Sequence, residues 1–426
     1  MRRRICRAVD RDVAELSGRH GGRLLFVLTF VACVGVQGTF TVTAPASLEA
    51  SSSPDFESFY RPVAENLLEG RGLTLSGEPA LRYPPGYPAV LAAVFVVTGR
   101  LGFDGVTGAT IFSLVCMGLA AATLVRLAEK VFNLHVAIVT GLLWITYPLH
   151  LRTAGSTGSE ALFIAILYGC VLVYVLGLIR GIPSWTNVLV TGALAGGASL
   201  IRPIGALTGA LLAGVLLFVC RTVPLRKRIT LGAALLLANL VVVAPWFAWS
   251  SAQAGGMVPL STSGPASVLD GLTIGADPTE PADVDLPAPA QQATESAWRN
   301  RESLTSAGAI ASFMAKETGQ RPLGVLSLLG AKALHALYAS ESRSLDKLVA
   351  LVQLPYLLLI GFGLMKARRA EAPARILLVV SLVLFLYFWA MTIAALSIVR
   401  YMTPVLGLLL VYAARALSSF SLPRRT

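Results

Sequence analysis

Long apolar blocks almost free of charge dominate this chain of 426 residues, and they leave it few ways to fold. Inside hydrocarbon every backbone N–H and C=O must find an internal partner, so apolar runs of about 20 residues can cross a bilayer only as helices. Blocks of that kind stand at 24–44, 105–126, 134–150, 157–179, 186–201, 203–220, 229–249, 347–365, 375–397 and 402–418. Apolar residues make up 55% of the sequence and charged ones 14%, against roughly 25% charged in a soluble domain. These features predict an all-α polytopic membrane protein with about ten transmembrane helices.

Two further apolar stretches, 86–99 and 322–339, are poor candidates for full crossings. The first is short and follows a double proline; the second carries Lys332 and His335 in its middle. Loop charge decides how to treat them. The net charge of +12 is spread over clusters at Arg2 to Arg4, Arg221 to Arg228, Lys366 to Arg375 and Arg424–Arg425, each beside an apolar block. That arrangement marks cytoplasmic loops rather than a nucleic-acid surface. If 86–99 and 322–339 are half-inserted helices on the outer side, these clusters, Arg126, Lys130, Arg180 and both termini all fall inside. The expected organisation is an N-terminal membrane module over 1–249 with a first external loop at 45–104, a second external loop at 250–346, and C-terminal helices over 347–426. The second loop is rich in Pro, Gly, Ser and acids (Asp270, Asp277, Glu280, Asp283, Asp285), which predicts irregular structure.

The first block, with its basic head and Ala44-Pro45-Ala46 tail, imitates a cleavable signal peptide. Its apolar run continues to about Ala44, which favours an uncleaved first helix. The five cysteines and four histidines are scattered without disulfide or metal spacing.

Polar residues of interest gather at one face. Asp55 precedes a stretch in which Phe59, Val63, Leu67 and Leu68 recur at helical spacing, predicting an interfacial amphipathic helix over about 58–69. On its other side Glu57, Arg61, Glu65 and Glu69 stand four apart, the spacing for ion pairs on a solvated face. Then comes Arg82-Tyr83-Pro84-Pro85-Gly86-Tyr87-Pro88, where three prolines restrict φ. Such a segment either leads plainly into a helix or holds a neighbouring side chain within the tolerance that catalysis needs.

The order Asp55, Tyr60, Ala64-Glu65-Asn66-Leu67-Leu68-Glu69-Gly70, Tyr-Pro-Pro-Gly-Tyr-Pro and a half-helix ending at Thr98-Gly99 resembles the first external loop of the GT-C membrane glycosyltransferases. The likeness is to the dolichyl-phosphate-mannose protein mannosyltransferases and the aminoarabinose transferases, a family-39-like superfamily. Arg152 with Glu160, Arg202-Pro203, Pro245-Trp246 before Val258-Pro259-Leu260-Ser261-Thr262-Ser263-Gly264, and Arg400-Tyr401 with Pro404 extend it over most of the chain. One departure is Tyr83, which stands where the aminoarabinose enzymes resemble one another in having lysine.

The resemblance implies a GT-C-type helical bundle and inverting transfer of a hexose or pentose from a polyprenyl-phosphate carrier to a glycan, lipid or protein acceptor. The multi-pass enzyme would sit in the plasma membrane, serve glycosylation of the cell envelope, and open its site outward. An acceptor hydroxyl is a poor nucleophile, so a positioned carboxylate is useful as general base; Asp55 leads and Glu57 is second. The departing phosphate needs fixed donors, which arginine's planar fork supplies. Arg400 is first choice, with Arg82, Arg152 and Arg202 at the same face, although each also fits an interfacial anchor. Glu160 also fits a structural pair with Arg152. Tyr60, Tyr83, Tyr87, Lys332 and Tyr401, with His335 near Lys332, complete the expected cavity.

No cofactor is expected. The sequence has no Gly-rich phosphate loop in a strand-to-helix context, and a divalent metal at Asp55 with Glu57 would need further ligands. The competing readings are a carrier flippase or small-molecule transporter, and an oligosaccharide polymerase or ligase. A transporter would place ionisable residues at the bilayer midplane, whereas here they crowd one rim.

Overall fold

The computed structural model describes residues 2–44, 53–221, 223–276, 286–340 and 343–421, with side chains from Gly21 to Ser419. Pro45, Ala46, Asp277, Glu280, Asp283, Asp285, Arg424 and Arg425 lie outside the described residues, as do the side chains of Arg2 to Arg4, Cys6 and His20.

Helix α1 (Arg2–Thr43) leads to the first loop, where a π-helical turn, Phe56–Tyr60, runs into the short α2 (Arg61–Leu68). A two-residue hairpin pairs Thr74–Leu75 with Glu78–Pro79 before α3 (Gly86–Arg100). The predicted interfacial helix is therefore real but begins earlier, as a π turn directly after Asp55. Its charged face behaves as its spacing implies, Arg61 pairing with Glu57 at 3.3 Å and with Glu65 at 2.9 Å.

The bundle follows. Asp104 starts α4 (Gly105–Val131) by accepting from the amides of Val106 and Thr107, a normal N-cap. Asn133 does the same for α5 (Leu134–Thr146), which breaks at Pro148 and continues as α6 (Pro148–Ala154) at a 61° bend. Proline has no amide to donate and suits the first turn of the new helix. Then come α7 (Glu160–Ile179), α8 (Trp185–Ile201), α9 (Thr208–Val219) and α10 (Leu225–Ala254). Gly192 and Gly196 let α8 approach α10 so closely that an added methyl would run into the Leu235 and Asn239 carbonyls, the small-residue packing of membrane helices.

Composition misleads in the second loop. The described part of 250–346 is mostly helical: α11 (Gly264–Leu272), α12 (Ala288–Arg299), α13 (Ala307–Gln320) and α14 (Pro322–Tyr338). They share a small core of Leu272, Ile274, Ala293, Ala297, Ile310 and Leu328. Prolines open α11, α12 and α14 rather than break them. The chain ends in α15 (Asp346–Ala367), α16 (Ala372–Ala394) and α17 (Val399–Ser421).

Seven helices are long and apolar enough to cross a membrane, and the bent α5–α6 pair makes an eighth crossing. Helices α8 and α9 are shorter apolar segments, as are α3 and α14. Counted this way, the bundle has about ten crossings at the places read from sequence, with α3 and α14 as the two short helices. Buried Met117, Trp144, Phe163, Tyr168, Tyr174 and Phe388 fill its centre.

Candidate active site

The π turn places Asp55 at its leading edge, where the carboxylate makes no capping bond to the backbone. Such turns recur at functional sites. The Asp55 side chain instead meets the proline-rich segment, with the Tyr83 hydroxyl donating to Oδ1 at 2.8 Å. Arg82 Nη2 lies 3.8 Å from the same oxygen. Gly86 lets this segment lie on the end of α8, because a methyl there would sit 2.6 Å from the Leu200 carbonyl. The second loop closes over it, the Thr262 amide donating to Leu81 O at 3.1 Å, and Asp270 of α11 comes within electrostatic reach of Arg82.

Four aromatic rings knit the loop to the bundle. Tyr83 packs on Tyr60 with ring centroids 5.3 Å apart and edge-on to Phe59 at 5.1 Å, while Tyr60 meets Tyr87 at 4.9 Å. Tyr87 is buried and donates to the Thr157 carbonyl at 2.6 Å, so it fastens the loop to the start of α7 rather than lining a cavity. Burial pushes the Tyr60 hydroxyl up to about 12, against the lowering pull of Arg202. Burial and then the charge of Asp55 drive Tyr83 well above the ordinary tyrosine value. Both phenols stay protonated donors at physiological pH.

On the bundle side Glu160, first residue of α7, is buried and pairs with two arginines from distant parts of the chain, Arg202 after α8 and Arg400 in the first turn of α17. Arg400 Nη2 lies 2.5 Å from Glu160 Oε1, the oxygen Arg202 also engages. This corrects the reading of Glu160 as the partner of Arg152. Arg202 also donates to Ser159 Oγ at 3.3 Å and lies 5.8 Å from the ring centre of Tyr401. Ser159 Oγ in turn is 3.5 Å from the Tyr60 hydroxyl. A continuous path of contacts thus joins Asp55 to Arg400 through Tyr83, Tyr60, Ser159, Arg202 and Glu160.

Beside this path opens a cavity of about 90 Å³. Arg152, Glu160 and Arg400 line it with the hydroxyl residues Ser53, Thr153, Ser156, Ser340 and Thr403. Ser340 is held in place by Asp346, whose Oδ1 accepts from its amide and its hydroxyl at 2.7 Å each. These hydroxyl residues escaped the sequence reading because they come from four separate segments that only the fold brings together.

Besides Tyr87, three expected residues stand elsewhere. Glu57 turns to Arg61 instead of toward Asp55. Lys332 is buried on α14 near Gly271 and the Ala395 carbonyl and does not line the cavity. His335 packs edge-on against Tyr338, 5.6 Å between ring centres.

Residues 82–249 match the family model described as dolichyl-phosphate-mannose-protein mannosyltransferase. The crystal structure of ArnT from Cupriavidus metallidurans bound to undecaprenyl phosphate is similar at a TM-score of 0.55 and 18% identity, covering 95% of this chain and 61% of that one. The archaeal oligosaccharyltransferase AglB from Archaeoglobus fulgidus, in complex with an inhibitory peptide and a dolichol-phosphate, is similar at a TM-score of 0.58 and 12% identity, covering 94% of this chain and 50% of that one. This chain therefore spans only 50–61% of the length of these solved structures. No curated protein matches it. The chain is a GT-C-fold membrane protein that resembles, over residues 82–249, the dolichyl-phosphate-mannose-protein mannosyltransferases.

Proposed function

We propose that the chain is a membrane glycosyltransferase that moves a hexose or pentose from a polyprenyl-phosphate carrier to an acceptor hydroxyl or amine, with inversion and with Asp55 as general base. The observation that carries this reading is the unbroken path from the Asp55 carboxylate to the arginine pair at the edge of a polar cavity. The two solved relatives, which hold undecaprenyl phosphate and dolichol-phosphate, supply the class of carrier.

The chemistry follows from the groups present. Asp55 removes the proton from the acceptor as its oxygen or nitrogen attacks the anomeric carbon from the face opposite the phosphate, a contribution of roughly 10²- to 10⁴-fold in rate. The bond from that carbon to the phosphate oxygen breaks, and its electron pair turns a phosphodiester monoanion into a monoester with added charge. Arg400 and Arg152 are the cationic groups of the cavity; of the five hydroxyl residues around them, Ser340, Thr153 and Thr403 already donate to Asp346 and to the carbonyls of Leu149 and Val399, which leaves Ser53 and Ser156 as donors. Fixed donors of this kind act most strongly where charge develops out of water. Glu160 cannot serve as base while it neutralises Arg202 and Arg400; its role is to hold Arg400 at the cavity wall and Arg202 behind it.

The site sits at the helix ends opposite the basic segments. Successive crossings alternate in direction, so Arg126, Lys130, Arg180, Arg226 to Arg228 and Lys366 to Arg369 fall at the far end of the bundle from Asp55. With an excess of Lys and Arg on the cytoplasmic side, the termini are cytoplasmic and the site opens to the outside of the plasma membrane.

The test is chemical. Lipids extracted from a strain deleted for this chain are expected to accumulate a polyprenyl-phosphate sugar, together with an envelope product lacking that sugar. An unchanged carrier pool and unchanged products would contradict the proposal.

A further inference from the structure

We infer that Tyr83 is the positioning residue for Asp55: its phenol fixes Oδ1 so that Oδ2 is the oxygen left to take the acceptor's proton. The inference rests on the assignment of Asp55 as base and adds to it the device that aims the carboxylate.

Asp55 would otherwise swing. It stands ahead of the π turn without a capping bond to any backbone amide, and its side chain is 36% exposed. The contacts that restrain it converge on one oxygen, the Tyr83 hydroxyl at 2.8 Å and Arg82 Nη2 at 3.8 Å, and among the described residues Oδ2 receives no hydrogen bond. At 3.8 Å Arg82 contributes charge rather than a hydrogen bond, so the phenol alone supplies direction.

Tyr83 is itself held. Its ring lies edge-on to Phe59 and against Tyr60, and the Arg82 guanidinium carbon sits 5.1 Å from its centre. Pro84 follows directly and confines the Tyr83 backbone to extended geometry. A tyrosine clamped on ring and backbone can fix a neighbouring carboxylate more closely than a flexible lysine in its place. Displacing a reacting group by about 1 Å can cost as much as 10²-fold in rate, so the effect belongs in turnover rather than in binding.

Tyr83→Phe removes only the hydroxyl and keeps the ring contacts. Purified in lipid nanodiscs and supplied with the lipid-linked donor that the deletion strain accumulates, this variant should lose about tenfold or more in kcat. Its KM for donor, its affinity for undecaprenyl phosphate and its melting temperature should stay close to those of the parent. In an Asp55→Asn background the same change should cost nothing further, because the phenol acts only through the carboxylate. Parent-like kcat for Tyr83→Phe, a matching fall in undecaprenyl phosphate binding, or an undiminished loss in the Asp55→Asn background would each overturn the inference. Parent-like transfer by Asp55→Asn is a different failure, since it removes the base itself.

Discussion

Two kinds of ion pair occur in this protein, and their surroundings decide which of them matters. Arg61 with Glu65 lies on a wet surface, the two side chains 40% and 47% exposed, and such pairs contribute about 0–1 kcal/mol. Glu160 is 4% exposed on its side chain and carries Arg202 and Arg400 at 17% and 27%. Removing one partner of a buried cluster leaves charge uncompensated, which typically costs about 3–5 kcal/mol. Glu160→Ala should therefore lower the unfolding midpoint in detergent sharply, and Arg61→Ala should hardly move it. Tyr60 and Tyr83 add a pH signature. Their folded-state values lie above the ordinary tyrosine value of about 10, so beyond that pH the unfolded chain loses protons first and stability falls as pH rises. A denaturation series from pH 9 to 11 should show that decline, weakened in Tyr83→Phe. Arg202 and Arg400 were legible as rim residues because each follows or opens an apolar block. The partner of Glu160 was not, since Arg152 is its neighbour in sequence while Arg400 reaches it only through the packing of α17 near α7.

Among the elements, the proline-rich segment between the hairpin and α3 does the positioning, and Gly86 is where it docks on the bundle. A methyl at Gly86 would stand 2.6 Å from the Leu200 carbonyl and 2.8 Å from the Ile201 side chain, next to Arg202. Because the nearest atom is backbone, Gly86→Ala should cost roughly 1–3 kcal/mol and depress transfer by shifting Asp55 relative to Arg202. Gly99→Ala, a helical position with open space around it, serves as the control that should leave activity unchanged and should not lower the melting temperature. The apolar period and the turn residues around Pro84–Pro85 make α2, α3 and their order readable from the amino-acid sequence. They cannot show the π turn at Phe56, which differs from α-helix only in hydrogen-bond register. In the second loop the same prolines and glycines that read as irregular open short helices, whose narrow apolar faces give too weak a period to see.

For the whole molecule, about ten crossings put Arg126, Lys130, Arg180, Arg226 to Arg228 and Lys366 to Arg369 at one end and the candidate site at the other. Single cysteines at Gly99 and Lys130, both exposed, should report opposite sides. An impermeant maleimide on intact cells should label the first and reach the second only after permeabilisation, against a low background from the four described cysteines, which are buried. Labelling of both from outside would break the topology. Loop charge is what treats the short α3 and α14 as half-inserted, because Lys and Arg are costly to translocate; hydropathy alone could not separate them from full crossings. The most direct measurement concerns Asp55. Asp55→Asn, reconstituted with the lipid-linked donor, should bind undecaprenyl phosphate as the parent does and lose roughly 10²- to 10⁴-fold in sugar transfer. Transfer at the parent's rate, or loss of carrier binding in step with transfer, would contradict Asp55 as a base that acts on the acceptor without holding the carrier.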